Sequence, residues 1–322
     1  MNLLVTGGAG YIGGTVATIL MQAGHRVTIL DNLCHSKRNE VPTGAEFIHA
    51  DIADRPRVEA LLRELKPDGV LHFAALIEAG DSMKVPEVYF RNNTASTLSL
   101  LEAMHATGVN KLVFSSTAAV YGEPRSIPIE ESAPLDPTNA YGESKLLVEY
   151  MLKWFHQIHG LRYASLRYFN VAGALPHRGE AHEPESHIIP LILDVALGRR
   201  EKIFIFGDDY DTPDGTCIRD YIHVRDLADA HILALEALTT RDKLIMNLGN
   251  GSGFSVKEVV ESARRVTGHA IPVELKPRRP GDPARLVASS EKAKAELGWK
   301  PQIPEIDDIL QSAWDWQQQR YK

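Results

Sequence analysis

The sequence predicts an α/β protein: a doubly wound parallel sheet with a smaller α/β substrate-binding domain. Three observations predict it. Short apolar runs alternate with stretches of helical period through the first half, which is the pattern of βαβ units with right-handed crossovers. The first apolar run, Asn2-Leu-Leu-Val-Thr6, opens directly into the glycine-rich turn Gly7-Gly-Ala-Gly10-Tyr-Ile-Gly13. The second, Arg26-Val-Thr-Ile-Leu30, ends on an acid, Asp31.

The turn reads G-x-x-G-x-x-G and leads into a helix through Val16, Ile19 and Leu20. Gly7 permits the tight turn, Gly10 lets backbone approach a pyrophosphate, and Gly13 lets helix pack on strand. The phosphates belong at the helix N-terminus, where unpaired N–H groups and the dipole favour an anion. Asp31 can accept from the adenosine ribose hydroxyls and repels a 2′-phosphate, so the expected dinucleotide is NAD. A purely structural turn leaves Asp31 unexplained. The sheet is therefore expected to be of the Rossmann type.

The alternation continues in order. Glu46-Phe-Ile-His49 reads as a third strand ending near Asp51, Val58 to Leu65 as a helix, and Gly69-Val-Leu-His-Phe73 as a fourth strand. A long helix follows Pro86, with Val88, Tyr89, Leu98, Leu101 and Met104 in helical period. Lys111 to Phe114 and Tyr163 to Arg167 are the fifth and sixth strands. Ligands of such sheets bind beyond the carboxyl ends of the strands. Residues 174–187, rich in His, Glu, Pro and Gly, read as a loop, as does the Asp-rich run 207–215. Helices are expected over Ile188 to Leu197, Val224 to Leu238, Val256 to Val266 and Ile306 to Gln318. Strands are expected over Lys202 to Phe206, Leu244 to Asn247 and Pro272 to Leu275. The expected division is 1–173 for the nucleotide domain, with segments near 220–250 returning to it, and 174–322 for the substrate domain.

Composition narrows the function. A chain of 322 residues has room for two domains, and 44% hydrophobic with 24% charged residues is ordinary for a globular protein. A net charge of -7 argues against a nucleic acid or an anionic membrane as partner, because both need a basic face. Cys34 and Cys217 are the only cysteines and lack metal-ligand spacing, which fits a reducing cytoplasm and no disulfide framework. No apolar run approaches membrane-spanning length, and with a first strand at Asn2 no signal peptide is expected. Thirteen histidines invite a metal, yet none has zincin spacing, and no metal is expected. His72, on a buried strand, reads as a hydrogen-bonded core residue. Gly249-Asn-Gly-Ser-Gly253 is a turn and not a nucleophile elbow.

The chemistry centres on Tyr141-Gly-Glu-Ser-Lys145, at the start of a helix continued by Leu146, Leu147, Tyr150, Met151, Trp154 and Phe155. Residues four apart share a helix face. A free Tyr, with a pKa near ~10, is a poor base at neutral pH. A fixed positive charge alongside lowers that value, so the pair is expected to act as a tuned acid/base on a sugar or alcohol hydroxyl. The spacing alone is common on ordinary amphipathic helices; the dinucleotide turn upstream gives it meaning.

Thr6-Gly-Gly-Ala-Gly-Tyr-Ile-Gly13, Ser115-Ser-Thr117, Tyr141-x-x-x-Lys145 and Arg167-Tyr-Phe-Asn170 resemble the extended short-chain dehydrogenase/reductase family. Asp31-Asn-Leu33, His72-Phe-Ala-Ala-Leu76, Arg219-Asp-Tyr-Ile-His-Val224 and Arg278-Arg-Pro-Gly-Asp282 are similar to the UDP-glucose 4-epimerases within it. The match keeps motif order over nearly the whole chain. The resemblance implies NAD-dependent 4-epimerisation of a UDP-hexose, a retained NAD and a homodimer.

By that resemblance Thr117 bonds the sugar 4-hydroxyl and shares a proton path with Tyr141, while Lys145 holds the nicotinamide ribose. Tyr11, Ile12, Asp31, Asn32 and Leu33 line the NAD site with the three glycines. So do Asp51, Ile52, Phe73, Ala74, Ala75, Leu76, Asn92 and Phe169. Asn170, Arg219 and Arg279 hold the substrate diphosphate and Asp282 its ribose. His187, Ile188, Phe204 and Phe206 complete the substrate site. Leu286 flanks the sugar, where some relatives carry a bulky Tyr and reject N-acetyl sugars; the smaller Leu is expected to admit them. One departure stands out: many relatives have Lys where this chain has Ile77, with Glu78 next, so a contact to the NAD phosphates is lost or supplied elsewhere. The alternatives are a nucleotide-sugar 4,6-dehydratase and a non-catalytic NAD-binding regulatory protein. Dehydratases carry acids directly after the active-site Thr, and here those positions are Ala118 and Ala119, with Glu123 too late to replace them.

Overall fold

The computed structural model of the chain describes residues 1–182, 184–279 and 282–322. Pro280 and Gly281, within the Arg278–Asp282 motif, lie outside the described residues, as does Glu183 of the loop expected at 174–187. The chain divides into two compact units. The first comprises 1–122, 134–167 and 228–246, the second 123–133, 168–227 and 247–322. The passage between them thus falls at 167–168 instead of near 173, because the residues after Arg167 pair with Asp220 and its neighbours.

In chain order the elements of the first unit begin with β1 (Asn2–Thr6), α1 (Tyr11–Gln22), β2 (Arg26–Asp31), β3 (Glu46–His49), α2 (Arg55–Leu65) and β4 (Gly69–His72). A short α3 (Ala79–Ser82) precedes α4 (Pro86–Tyr89), a π-helical segment at Phe90–Ala95 and α5 (Ser96–Thr107). Then come β5 (Lys111–Thr117), a 3₁₀ turn at Ala118–Tyr121, α6 (Ala140–His159) and β6 (Arg162–Tyr168). The second unit carries β7 (Asn170–Ala172), α7 (Ile188–Ala196), β8 (Ile203–Phe206), β9 (Ile218–Arg219) and β10 (Tyr221–His223). The chain then runs through α8 (Val224–Ala237) and β11 (Lys243–Leu248) of the main sheet. It ends with β12 (Phe254–Ser255), α9 (Val256–Thr267), β13 (Val273–Lys276), β14 (Arg285–Leu286), α10 (Glu291–Leu297) and α11 (Ile306–Arg320).

The main sheet has seven strands in the order β11-β6-β5-β4-β1-β2-β3, with β1 parallel to β2 and β4, and β2 to β3. Strands covered by helices on both faces must be apolar throughout: Leu3, Leu4, Val5, Val70, Leu71, Leu112 and Val113 are all fully buried. Reversal of strand order at β1 and β4 leaves a crevice at their carboxyl ends, where α/β sheets bind ligands. In the second unit α7, α9 and α11 pack on Ile192, Leu193, Val259, Ile309 and Leu310. A Ser255–Glu258 capping box starts α9, as the sequence S-x-x-E allows.

Candidate active site

The glycine turn is held by contacts that only glycine tolerates. Gly7 has φ +73°, and a Cβ on it would meet Ala74 N at 2.4 Å; one on Gly13 would meet Gly7 O at 2.4 Å. The segments after β1 and β4 therefore touch backbone to backbone. Helix α1 starts at Gly10, and its first turn carries no acid to occupy its positive end. Asp31 organises the neighbouring loop: its Oδ2 accepts from Ala9 N (3.0 Å) and its Oδ1 from Leu33 N (2.8 Å), with Leu33 at φ +58°. Asn32 donates to Asp51 Oδ2 at 2.8 Å, joining the ends of β2 and β3. Ile52 is buried among Leu4, Leu30 and Val58, so its side chain belongs to the core. This cradle fits NAD: two glycines that admit no Cβ, a helix N-terminus with no acid in its first turn for the pyrophosphate, and an acid at the ribose end.

Phe73 to Leu76 continue β4. Phe73 N donates to Thr6 O (2.9 Å), and its ring lies against His231 with centroids 4.9 Å apart. Leu76 is clamped at both backbone groups by Asn93, through N to Oδ1 at 2.9 Å and O from Nδ2 at 3.0 Å. Asn93 Nδ2 also donates to Ser144 Oγ on α6 (3.0 Å), and Asn92 Nδ2 donates to Asn93 Oδ1 (2.9 Å). These asparagines sit in the π-helical segment, whose wide turn is a frequent mark of functional sites. His72 is a buried core residue as expected. Thr97 Oγ1 gives its proton to Asn93 O (2.6 Å), so it accepts from His72 Nε2 (2.8 Å), and Nδ1 accepts from Thr6 Oγ1 (2.7 Å). Burial, with Lys145 adding to it, holds His72 neutral with a pKa of about 3.

Helix α6 begins with Asn139 capping Gly142 N at 2.8 Å, an ordinary Asn N-cap. Tyr141 N donates to Ser82 Oγ (3.0 Å) and Ser144 Oγ donates to Tyr141 O (2.7 Å), fixing the first turn. Gly142 lies against the turn after β5: a Cβ there would meet Ala119 O at 2.6 Å. This brings the Tyr141 side chain near Thr117, whose hydroxyl lowers the pKa of the phenol. Thr117 Oγ1 accepts from Ala119 N (3.1 Å), so its own proton remains available to donate.

The expected lowering of the Tyr141 pKa is not what the site produces. Burial pushes the phenol up to about 12; the bond from Thr117 pulls it down, and the Glu78 carboxylate pushes it up again. Lys145 has its Nζ on Ser115 O (2.9 Å) and over the Phe114 ring (5.0 Å), and burial lowers its pKa to about 7. Desolvation outweighs the charge–charge effect that the spacing suggested.

Two turns beyond Tyr141 on the same face, Glu149 forms a buried cluster. Its Oε1 accepts from Ser116 Oγ (2.6 Å), Ser165 Oγ (2.8 Å) and Arg167 Nε (2.9 Å), and its Oε2 from Arg167 Nη2 (2.5 Å). Arg167 Nη1 also reaches Tyr121 Oη at 2.9 Å. Ser116 stands between Ser115 and Thr117, the residues that meet Lys145 and Tyr141. The cluster therefore sets α6 against β5 at the level of the chemistry. Asn93, Ser82 and Glu149 were missed in the sequence: a lone buried polar residue in a helix carries no pattern.

The second unit groups the other expected residues. Arg219 on β9 pairs in register with Leu286 on β14, and its Nη2 donates to Asp282 Oδ1 in a short ion pair. Asn170 donates through N (3.0 Å) and Nδ2 (3.3 Å) to Asp220 O, next to Arg219; Phe169 just before it is half-buried. The Arg279 guanidinium lies 4.0 Å from the Phe206 ring centre. Arg278 instead stacks on Tyr210 at 4.1 Å with Nε on Asp209 Oδ1 at 2.6 Å, so the two adjacent arginines have different partners. Phe204 lies under Lys276 at 5.0 Å. His187 is half-exposed and bonded to Glu185 Oε1 (2.8 Å), just before Ile188 opens α7. Ile77, the departure at the expected Lys, is exposed, and Tyr89 Oη donates to Glu78 O at 2.8 Å.

Among the described residues no helix is long and apolar enough to cross a membrane, and no three metal-ligating side chains gather. A family model described as "NAD dependent epimerase/dehydratase family" matches residues 3–249. The chain is 54% identical over 314 residues to the UDP-glucose 4-epimerase of Corynebacterium glutamicum, covering 98% of this chain and 95% of that one. It superposes with a TM-score of 0.96, at 43% identity and covering 100% and 99% of the two chains, on UDP-glucose-4-epimerase from Stenotrophomonas maltophila with bound NAD and formylated UDP-arabinopyranose. The Bifidobacterium longum UDP-glucose 4-epimerase in complex with NAD⁺ and UDP gives a TM-score of 0.95 at 38% identity, with 100% and 99% covered. By sequence, fold and site, the chain belongs to the NAD dependent epimerase/dehydratase family.

Proposed function

We propose that this chain is an NAD-dependent epimerase that inverts C4 of a UDP-hexose, converting UDP-galactose to UDP-glucose. The observation that carries the reading is Tyr141 beside Thr117, with Lys145 one turn on in the same helix and its Nζ on Ser115 O, together with a cradle that fits NAD and relatives of about half identity bearing this activity. Gly7 to Gly13, Asp31 to Leu33 and Phe73 to Leu76 hold the dinucleotide, and Lys145 its nicotinamide ribose. NAD, when bound, supplies a hydride acceptor and donor at C4. Tyr141 takes the proton of the 4-hydroxyl and later returns it, with Thr117 as its hydrogen-bond partner on the sugar side. Arg219 and Arg279 hold the diphosphate, Asp282 the ribose, and Phe204, Phe206, His187 and Ile188 the rest of the nucleotide. No net oxidation occurs, so no second substrate is consumed.

The dehydratase alternative needs two further proton-transferring groups near C5 and C6. The residues after Thr117 are Ala118 and Ala119, which transfer none, and Ala119 is wedged against Gly142. We further infer a homodimer in the cytoplasm. Tyr150, Trp154 and Ile158 form an exposed apolar stripe on α6, with exposed Val88 and Leu98 on the helices beside it, a surface that a second copy would cover. Free Cys34 and Cys217 suit a reducing compartment. Incubation with UDP-galactose and chromatography of the nucleotide sugars tests the activity: UDP-glucose should form, and unchanged substrate would reject it.

A further inference from the structure

Tyr210 lies in the loop 207–215 of the second unit and is only 5% exposed. Its backbone is committed: N donates to Gly215 O (2.9 Å) and O accepts from Thr212 N (2.8 Å). Its ring is fixed from two sides. The Arg278 guanidinium covers it, anchored by Asp209, and a Cβ on Gly207 would meet ring atom Cε2 at 2.5 Å. Yet the hydroxyl at the end of this fixed ring is buried and has no hydrogen-bond partner among the described residues. A hydroxyl in that state costs about 1–3 kcal/mol, and native structures rarely keep one without a use.

The Arg278 guanidinium over its ring and the Arg219–Asp282 ion pair of the same unit point to a use. After burial, which pushes the phenol up, come Asp282 and Cys217, which raise it, and Arg219 and Arg278, which lower it. The phenol keeps its proton at neutral pH and is a donor. A donor among guanidinium groups suits an anionic oxygen, since both then converge on one acceptor. We propose that Tyr210 is a further binding residue, whose hydroxyl donates to an oxygen of the substrate's diphosphate. The inference rests on reading Arg219 and Arg279 as the diphosphate ligands.

Tyr210→Phe keeps the ring and its stacking and removes only the donor. Titration calorimetry of the wild type and this variant with UDP, beside their thermal unfolding without UDP, tests the proposal. UDP affinity should fall about tenfold or more, the scale of a hydrogen bond to a charged group. The unliganded melting temperature should stay equal or rise, because an unpaired buried hydroxyl is gone. Equal UDP affinity in both proteins overturns the proposal and leaves the diphosphate reading standing. A lowered unliganded melting temperature would assign the hydroxyl to the fold and also overturns it. A wild type that binds no UDP overturns both readings together.

Discussion

Tyr141 stands under three influences of different sign: burial and the Glu78 carboxylate raise its pKa, and the Thr117 bond lowers it. Its position was legible from the Tyr141–Lys145 spacing; its pKa was not, because desolvation depends on surroundings that spacing does not encode. Removing the hydroxyl tests its role. Tyr141→Phe should lower turnover by about two orders of magnitude or more, the scale of lost acid–base catalysis, while the purified protein keeps its NAD. Near wild-type turnover would remove Tyr141 from the chemistry. His72 carries a second residue-scale consequence. Its folded pKa of about 3 lies below its ordinary value, so the unfolded chain binds the extra proton as pH falls. Its contribution to stability is full above the ordinary His range and is lost toward pH 3. Denaturant midpoints should therefore fall with acid less steeply in His72→Gln than in the wild type; parallel slopes would refute the linkage.

At the scale of elements, α6 is tied to β5 by Glu149, Arg167 and Ser116, and to the π-helical segment by Ser144 and Asn93. Breaking a buried pair by neutralising one partner leaves a buried charge uncompensated, at a cost of about 3–5 kcal/mol. Urea denaturation of Glu149→Gln should show a loss on that scale, with turnover reduced as α6 shifts against Thr117. A stability within about 1 kcal/mol of wild type would show that Arg167 finds another partner. The main strands were readable because each is a contiguous apolar run between turns. The helix after Pro86 was readable too, but its π-helical segment was not, since a widened turn leaves the apolar period nearly intact. Strands β7, β9, β10, β12 and β14 escaped notice because two or three residues are too few to show alternation.

Across the whole molecule, the glycine turn, Asp31 and the Tyr–Lys helix could be read as one site because they recur at the carboxyl ends of successive strands. Tyr210 and the separate partners of Arg278 and Arg279 could not, since loop residues take meaning only from neighbours brought in by the fold. Tyr150 and Trp154 stood in the helical period read after Tyr141, but Ile158 did not, and the period does not say which face stays exposed. Light scattering after size exclusion should give twice the chain mass, and Trp154→Glu should shift it toward monomer; a monomeric wild type would contradict the dimer.

The central claim is that a 4-keto intermediate made at this site is returned to an alcohol and not eliminated. Ala118 and Ala119 stand where elimination needs acids, so neither residue directly after Thr117 protonates a leaving 6-hydroxyl. The direct measurement is one incubation with UDP-galactose, divided between chromatography and an alkaline ultraviolet reading for 4-keto-6-deoxy sugar. The account predicts UDP-glucose and no alkaline absorbance. Alkaline absorbance growing in place of UDP-glucose would contradict it and make the chain a dehydratase.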